Sequence, residues 1–178
     1  MDLSKPNTNR NLGGNNTISI IPVANVYEIA EPINGTVNSI TVLDIDEIYS
    51  VKFTEGSANK KVEKDYSKEG IFYDAKLSLN LPKNRFEIRN SLAEIDLSDY
   101  IIIITDANGK SEILGEIENA MRLISDEIDT GSNASDFNHY ELLFTAKFNF
   151  RPYFLTDTFL INLQESSFSL GFSLGFQS

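Results

Sequence analysis

The sequence has no cysteine and no tryptophan, and it has one histidine among 178 residues. The absence of cysteine excludes disulfide bonds, a thiolate nucleophile and the cysteine-based zinc and iron–sulfur sites. One histidine cannot form a multi-histidine metal site, and the lack of tryptophan argues against the aromatic cleft of a glycoside hydrolase. Because these absences remove much of the enzyme repertoire, we expect no catalytic activity and no cofactor.

Basic residues are scarce: 15 lysines and arginines stand against 26 acidic residues, which gives a formal net charge of -11. A chain this acidic is repelled by a phosphate backbone, so we expect no sequence-specific nucleic acid binding. No apolar run approaches the ~18 residues of a membrane-spanning helix, so we expect no membrane partner. Residues 1–16 lack the apolar stretch of a signal peptide, and we expect synthesis in the cytoplasm. Hydrophobic residues make up 41% of the chain, which is typical of a folded domain.

Patterns typical of β-strands dominate the rest of the chain. Runs rich in Val, Ile, Thr and Phe predict strands, which cover 17–21, 23–29, 36–53, 71–81, 100–105, 110–115, 120–128 and 139–150. Residues 36–53 form either two strands or one strand with a bulge near 44–47. Residues 116–128 fit a helix or a strand, and we favour a strand from residue 120. Two polar segments predict loops: 55–70, a mobile loop or hairpin tip, and 129–138.

The clearest hairpin lies at 100–115. Its first strand contains an unbroken run of isoleucines at 101–104, which is typical of a strand buried on both faces. Residues 106–109 form the turn, with Gly109 at a position that needs a positive φ. We therefore expect this hairpin at the centre of the core.

One helix is predicted. Pro82 suits a helix start, because the missing N–H of proline would be unpaired there anyway. Three apolar residues follow at helical spacing: Ile88, Leu92 and Ile95. The pattern indicates a helix at about 83–95.

The predicted fold class is mainly β. We expect a single antiparallel β-sandwich or barrel with one flanking α-helix and with extended arms at both ends. A flexible N-terminal arm spans 1–16, the β-rich domain spans 17–155, and a C-terminal apolar strand or arm spans 156–178.

Candidate catalytic and metal-binding residues are few. His139 follows a polar loop that contains Ser135 and Asp136, but no nucleophile-elbow motif is present, so a histidine without chemistry is the favoured interpretation. Two acidic groups, and the loop at 129–136, offer oxygen ligands for a divalent cation. The groups are Asp44, Asp46 and Glu47, and Asp126, Glu127 and Asp129. Such groups arise by chance in a chain with 26 acidic residues, so we predict no metal site.

The segment 55–70 contains a basic island. Its lysines are Lys60, Lys61, Lys64 and Lys68. Acidic residues at 63, 65 and 69 interleave with them, so a solvated loop is favoured over a polyanion site.

The C-terminal segment alternates more regularly than any other part of the chain. Residues 166–176 repeat the unit FSLG, with large apolar residues at one parity and serine or glycine at the other. An exposed segment with high β-propensity and no charge is an aggregation hazard, so it must be covered. We predict an assembly interface formed by Phe168, Leu170, Phe172, Leu174 and Phe176. The competing interpretation is a last strand that folds onto its own domain.

From residue 77 onward the order of features resembles small tail-region proteins of tailed bacteriophages, especially those of Bacteroidetes hosts. A helix precedes a strand that ends in the sequence TDANG, a glycine closes the return strand, and a polar loop leads into an aromatic strand. The matching residues are Asp106, Asn108, Gly109, Gly115, Thr130, Gly131, Asp136, Asn138 and Tyr140. The resemblance covers residues from 77 to about 155 and implies a structural role in the virion, similar to a tail-tube or tail-terminator protein.

The resemblance implies a ring- or tube-forming subunit of the tail or head–tail connector. Such a subunit assembles by β-sheet packing and exchange of arms, first with copies of itself and then with other virion structural proteins. We expect it in the virion after assembly in the host cytoplasm. The alternative is a β-sandwich module that binds a carbohydrate or a receptor.

Overall fold

The computed structural model describes residues 13–54, 56–68, 70–82, 98–129 and 139–164. Within these ranges the chain is mainly β, as predicted, and contains no α-helix; the helix predicted at about 83–95 lies outside them. The strands are β1 (Asn15–Pro22), β2 (Val26–Ile29), β3 (Thr36–Val42), β4 (Tyr49–Val51), β5 (Asn59–Ser67), β6 (Gly70–Pro82), β7 (Asp99–Asp106), β8 (Ser111–Leu114), β9 (Met121–Asp129), β10 (His139–Phe148) and β11 (Tyr153–Leu163). No helix in this part of the chain is long and apolar enough to cross a membrane.

Hydrogen bonds join the strands into one 11-stranded sheet that branches at β7. One edge of β7 pairs with β1, which pairs in turn with β4. The opposite edge is shared by β8, at residues 102–105, and by β9, at residues 99–100. From β8 the sheet continues through β11 and β3 to β2, and from β9 it continues through β10 and β6 to β5.

One strand pair departs from the predicted antiparallel arrangement. β3 and β11 run parallel, whereas the other pairs between named strands are antiparallel, so the sheet is mixed. A parallel pair needs a long crossover connection, and here that connection is most of the domain, from residue 43 to residue 152. Local sequence patterns carry no information about a pairing of strands so distant in the chain.

β7 separates two hydrophobic cores. Ile102 and Ile104 face a large core shared with β6 and β10, whereas Ile101 faces a small core shared with β3 and β2. Ile101 and Ile102 are both fully buried, which confirms that this run is buried on both faces. The large core contains, among others, Leu77, Leu79, Tyr140, Leu142, Phe144 and Phe148; the small core contains Ile21, Val26, Val37, Ile40, Val42, Ile101 and Ile113.

The turn between β7 and β8 forms as predicted. Gly109 has a φ of 78°, a left-handed value that favours glycine. One carboxylate oxygen of Asp106 accepts hydrogen bonds from the backbone N–H groups of Asn108 and Lys110, both at 2.8 Å. Burial raises the pKa of Asp106, but these hydrogen bonds outweigh burial and hold the pKa below its usual value.

The prediction of a loop over 55–70 is wrong for most of that segment. Residues Asn59–Ser67 form β5, which pairs with β6 along its whole length. The charged composition is misleading because β5 ends the sheet path and has one face and one edge in solvent, where charged side chains are favourable.

Three other segments resolve the alternatives that the sequence left open. Residues 36–53 form two strands, β3 and β4, separated by a turn. Residues 121–129 form a strand, as favoured, and Val23–Asn25 form a short 3-10 helix instead of the start of a strand. β11 runs across position 155/156, where the C-terminal arm was predicted to begin, and the polar loop at 130–138 lies outside the described residues.

Candidate assembly surfaces

The predicted assembly residues at 168–176 lie outside the described residues, which end with Gln164. The strand that leads to them is β11. One edge of β11 pairs with β3, and its other edge pairs with β8 only at Tyr153 and Phe154. From residue 155 to Leu163, no described strand pairs with that second edge.

A wide bulge interrupts β11. Leu155 pairs with Val37 and Leu160 pairs with Ser39, so residues 156–159 stand opposite a single residue of β3. The bulge lets Phe159 pack against the small core, and beside it a surface cavity of about 370 Å³ opens toward β7. A bulge of this kind ends regular pairing with the neighbouring strand and re-aims side chains.

β11, the last described strand before the predicted interface, carries exposed apolar side chains. Leu160 is 61% exposed, and Phe154, Ile161 and Leu163 are exposed as well. Single exposed apolar residues are ordinary on protein surfaces. Here Leu160, Ile161 and Leu163 lie where no described strand pairs with the second edge of β11. A strand edge with apolar side chains is a template for pairing with another chain.

A second surface feature is a groove of about 460 Å³ at one end of the large core, which we call the basic groove. β5 and Tyr73 of β6 form one wall, because alternate residues of a strand share a face and point the same way. Glu112 of β8 and the segment 151–154 form the other wall. The groove residues are Lys60, Val62, Lys64, Tyr73, Glu112, Arg151, Pro152 and Phe154.

One ion pair ties the two walls together. Nζ of Lys60 lies 2.6 Å from Oε2 of Glu112, and both side chains are largely buried. Burial makes such a pair sensitive to the loss of either partner, since the remaining charge would be left uncompensated. The pair therefore bridges the two walls of the basic groove.

Two further cations of the groove have no acidic partner among the described residues: Lys64 and Arg151. Nζ of Lys64 lies 4.8 Å from the centre of the Tyr66 ring, and Cζ of Arg151 lies 5.7 Å from the centre of the Tyr73 ring. The contact with Tyr66 raises the pKa of Lys64, while the charge of Arg151 acts in the opposite direction. In a chain of net charge -11, this groove is a local excess of positive charge.

The interpretation of the lysine island as a solvated loop is thereby corrected. Because side chains alternate along a strand, Lys60 and Lys64 line the groove and Lys61 lies on the opposite face. There Nζ of Lys61 lies 2.7 Å from Oε1 of Glu63. That ion pair lowers the pKa of Glu63. The alternation of basic and apolar residues at 60, 62 and 64 is the sequence signal that could have revealed the groove.

A third surface feature is the turn at residues 43–47, which we call the acidic turn. It carries two exposed apolar side chains: Leu43, which precedes Asp44, and Ile45, which lies between Asp44 and Asp46. The acidic side chains, Asp44, Asp46 and Glu47, are exposed and have no basic partner in the part of the chain that the structure describes.

Buried Asn25 holds the acidic turn in place. Its Nδ2 donates a hydrogen bond of 2.7 Å to the carbonyl oxygen of Asp44, and its Oδ1 accepts one of 2.7 Å from the N–H of Asp44. The N–H of Asp46 donates to the Asp44 carboxylate at 2.9 Å. Asn25 is the one buried polar residue of the described core. Burial of its amide group would be costly without hydrogen bonds, and the two bonds to the acidic turn supply them.

The candidate catalytic and metal-binding residues do not converge on a site in the described ranges. His139 begins β10 opposite Pro82, while Ser135 and Asp136 lie outside those ranges. Asp126 and Glu127 are neighbours on β9, so their side chains point to opposite faces. The described residues contain no group of three or more His, Asp or Glu side chains placed to hold a metal ion.

The residues that carry the resemblance to phage tail-region proteins have mostly local roles. Asp106 and Gly109 form the turn between β7 and β8, and Gly115, directly after β8, has a φ of 103°. The polar-loop residues of the resemblance, Thr130, Gly131, Asp136 and Asn138, lie outside the described residues. Comparison with known proteins adds no relative: no family model, no curated protein and no solved structure matches the chain.

Proposed function

We propose that the chain is a structural subunit of a bacteriophage virion, which forms rings or tubes in the tail or at the head–tail connector. The subunit is a β-sandwich or barrel that acts without catalysis or a cofactor. Its partners are further copies of itself and other virion structural proteins, and they include neither a membrane nor a specific nucleic acid sequence. It is made in the host cytoplasm and resides in the virion.

β11 is the observation that carries this proposal. The strand belongs to the sheet through β3, has a second edge with which no described strand pairs from residue 155, and exposes Leu160 and Leu163 to solvent. It is followed directly by the alternating apolar segment at 166–176. A neighbouring chain that adds a strand along this edge would satisfy the free N–H and C=O groups and cover the apolar side chains.

Other strand edges support the same proposal. β2, β4 and β5 each pair along one edge only among the described strands. Several free edges on one subunit allow contacts in more than one direction, which a ring or a tube requires. The acidic net charge is compatible with a channel through which DNA must pass without binding.

The state of association of the full chain tests the proposal. We expect light scattering to give a mass that is a multiple of 19.9 kDa, and negative-stain images to show rings or tubes. A chain that stays monomeric at every concentration up to its solubility limit would contradict the proposal.

Deletion of 166–178 tests the part played by the C-terminal segment. We expect the shortened chain to keep its far-UV circular dichroism spectrum and thermal midpoint but to lose its rings or tubes. A triple F168S/F172S/F176S variant removes the apolar side chains while keeping the length of the chain. If either variant unfolds as a monomer, the segment belongs to its own domain, and the assembly role of the segment is wrong.

A binding module for a carbohydrate or a receptor is the second candidate. The basic groove favours it, because Tyr73 and Phe154 provide aromatic surface beside two cations that have no acidic partner among the described residues. A monomeric chain that binds immobilised acidic glycans, and loses that binding in a Tyr73→Ala variant, would favour this function over the first.

A further inference from the structure

The basic groove and the acidic turn lie at opposite ends of the β3–β11 pair. Phe154, in the groove, pairs with Thr36 at the start of β3, while Val42, at the end of β3, pairs with Leu163 and leads into the acidic turn. Strands rise about 3.3 Å per residue, so the length of β3 separates the two features by roughly 20 Å. The two surfaces therefore cannot meet within one subunit.

The two surfaces are complementary in charge. The groove holds the cations Lys64 and Arg151, and the acidic turn presents Asp46 and Glu47. None of these four side chains has an ion-pair partner among the described residues. Complementary potentials steer association and fix the register of two surfaces. The chain as a whole is acidic, whereas the groove is locally basic. An acidic surface of another copy is therefore attracted to the groove.

The two surfaces also match in their apolar parts. Val62, Tyr73 and Phe154 give the groove apolar and aromatic area beside its cations. Leu43 and Ile45 stand exposed beside the carboxylates of the acidic turn, at 50% and 54% exposure. Apolar contacts at the centre and charged contacts around them are the usual composition of a specific protein interface.

Hydrogen bonds within the subunit hold the shape of the acidic turn before any contact is made. Buried Asn25 donates one hydrogen bond to the backbone of Asp44 and accepts another from it, and the Asp44 carboxylate accepts one from the N–H of Asp46. A preorganised loop loses less conformational entropy on docking than a flexible one, so more of its interaction energy remains as affinity.

We propose that the acidic turn of one subunit docks in the basic groove of the next subunit. The inference rests on the proposed function, since it names one of the contacts through which copies of this chain assemble. The contact joins two different surfaces, so it is head-to-tail. Repetition of a head-to-tail contact closes into a ring or continues as a tube, depending on the rotation between neighbours.

Charge reversal on each surface tests the contact. The groove variant is K64E/R151E, the turn variant is D46K/E47K, and a control variant, K61E/K147E, makes the same charge change as the groove variant on the opposite face of the β5–β6–β10 sheet. We expect light scattering to show self-association at least roughly tenfold weaker for the groove and turn variants, and unchanged for the control. All three variants should keep the far-UV circular dichroism spectrum of the parent chain.

An equimolar mixture of the groove and turn variants gives the sharper result. Each basic turn can then dock in an acidic groove, and each acidic turn in a basic groove, so we expect the mixture to recover the association that each variant alone has lost. If a reversal disturbs folding, the neutral pair K64Q/R151Q and D46N/E47Q replaces it, with weakened association expected for each.

The outcomes separate the inference from the proposed function. A parent chain that does not associate contradicts the proposed function. A parent chain that associates, together with groove and turn variants that associate equally well, overturns this contact alone. Loss of association in both variants without recovery in the mixture also overturns it, because the two surfaces then do not face each other.

Discussion

Neighbouring isoleucines of β7 provide a direct test of the two-core architecture. Ile101 and Ile102 are both fully buried, but Ile101 belongs to the small core and Ile102 to the large core. Replacing a buried isoleucine by alanine removes three carbons and leaves a cavity, at a cost of about 2–5 kcal/mol. We expect Ile101→Ala and Ile102→Ala each to lower the unfolding free energy by about 3 kcal/mol, and the thermal midpoint by about 6–12 °C.

Urea unfolding followed by two probes measures the effect. Far-UV circular dichroism reports the sheet and tyrosine fluorescence reports the cores, since the chain has 7 tyrosines and no tryptophan. The two probes should give coincident transitions, because β7 contributes to both cores and neither can open alone. An exposed isoleucine, Ile124, provides the control, and its replacement by alanine should change stability by less than about 0.5 kcal/mol. A variant at 101 that melts in two separate steps, or that is as stable as the control, would refute the two-core argument.

Four further replacements probe turns and the polar side chains that hold them, by urea unfolding. Gly115→Ala should lower the unfolding free energy more than Gly109→Ala. Both glycines have a positive φ, at which an alanine costs about 1–2 kcal/mol. Of the two sites, only Gly115 would also place the added Cβ 3.1 Å from a backbone oxygen. Asn25→Ala should cost about 1–3 kcal/mol because it leaves the backbone groups of Asp44 without their partners. Asp106→Asn should cost about 1–2 kcal/mol at pH 7. The pKa of Asp106 is lower in the folded chain than in the unfolded chain. The Asp106 carboxylate therefore stabilises the fold fully above its unfolded-state pKa, and this contribution is lost as the pH falls through the folded-state pKa. The Asp106→Asn variant should lack this loss of stability at acidic pH.

Local patterns predicted most of the strands, because each depends on a few neighbouring residues. The isoleucine run and the turn that ends at Gly109 gave the β7–β8 hairpin, and the alternation at 71–81 gave β6. Pairing between distant strands could not be predicted in this way. The parallel contact of β3 with β11, and the branching of the sheet at β7, follow from the whole core.

The basic groove and the acidic turn were not predicted from the sequence, because both are made of segments rich in charged residues. The sequence of β5 resembles a loop because five of its nine residues are charged, yet its alternation places Lys60, Val62 and Lys64 on the groove face. The acidic turn looked like a chance cluster because the anchor of its backbone, Asn25, is about 20 residues away and gives no local signal. Periodicity is a better guide than composition for an edge strand, since solvent accepts charge on one face of it.

Salt separates the two assembly elements, because they rest on different forces. Contacts between the acidic turn and the basic groove join exposed charges, which are screened over about 10 Å at 0.1 M salt and about 3 Å at 1 M. The apolar segment at 166–176 carries no charge, and burial of apolar surface is maintained or strengthened by salt. Association of the full chain should therefore weaken as sodium chloride rises from about 0.05 to 0.5 M, and the K64E/R151E variant should lose that dependence while keeping the part that the apolar segment provides. Light scattering over the salt series measures both. A parent chain whose association strengthens over the whole range would show that apolar contacts alone hold the assembly, and that the charges of the groove do not.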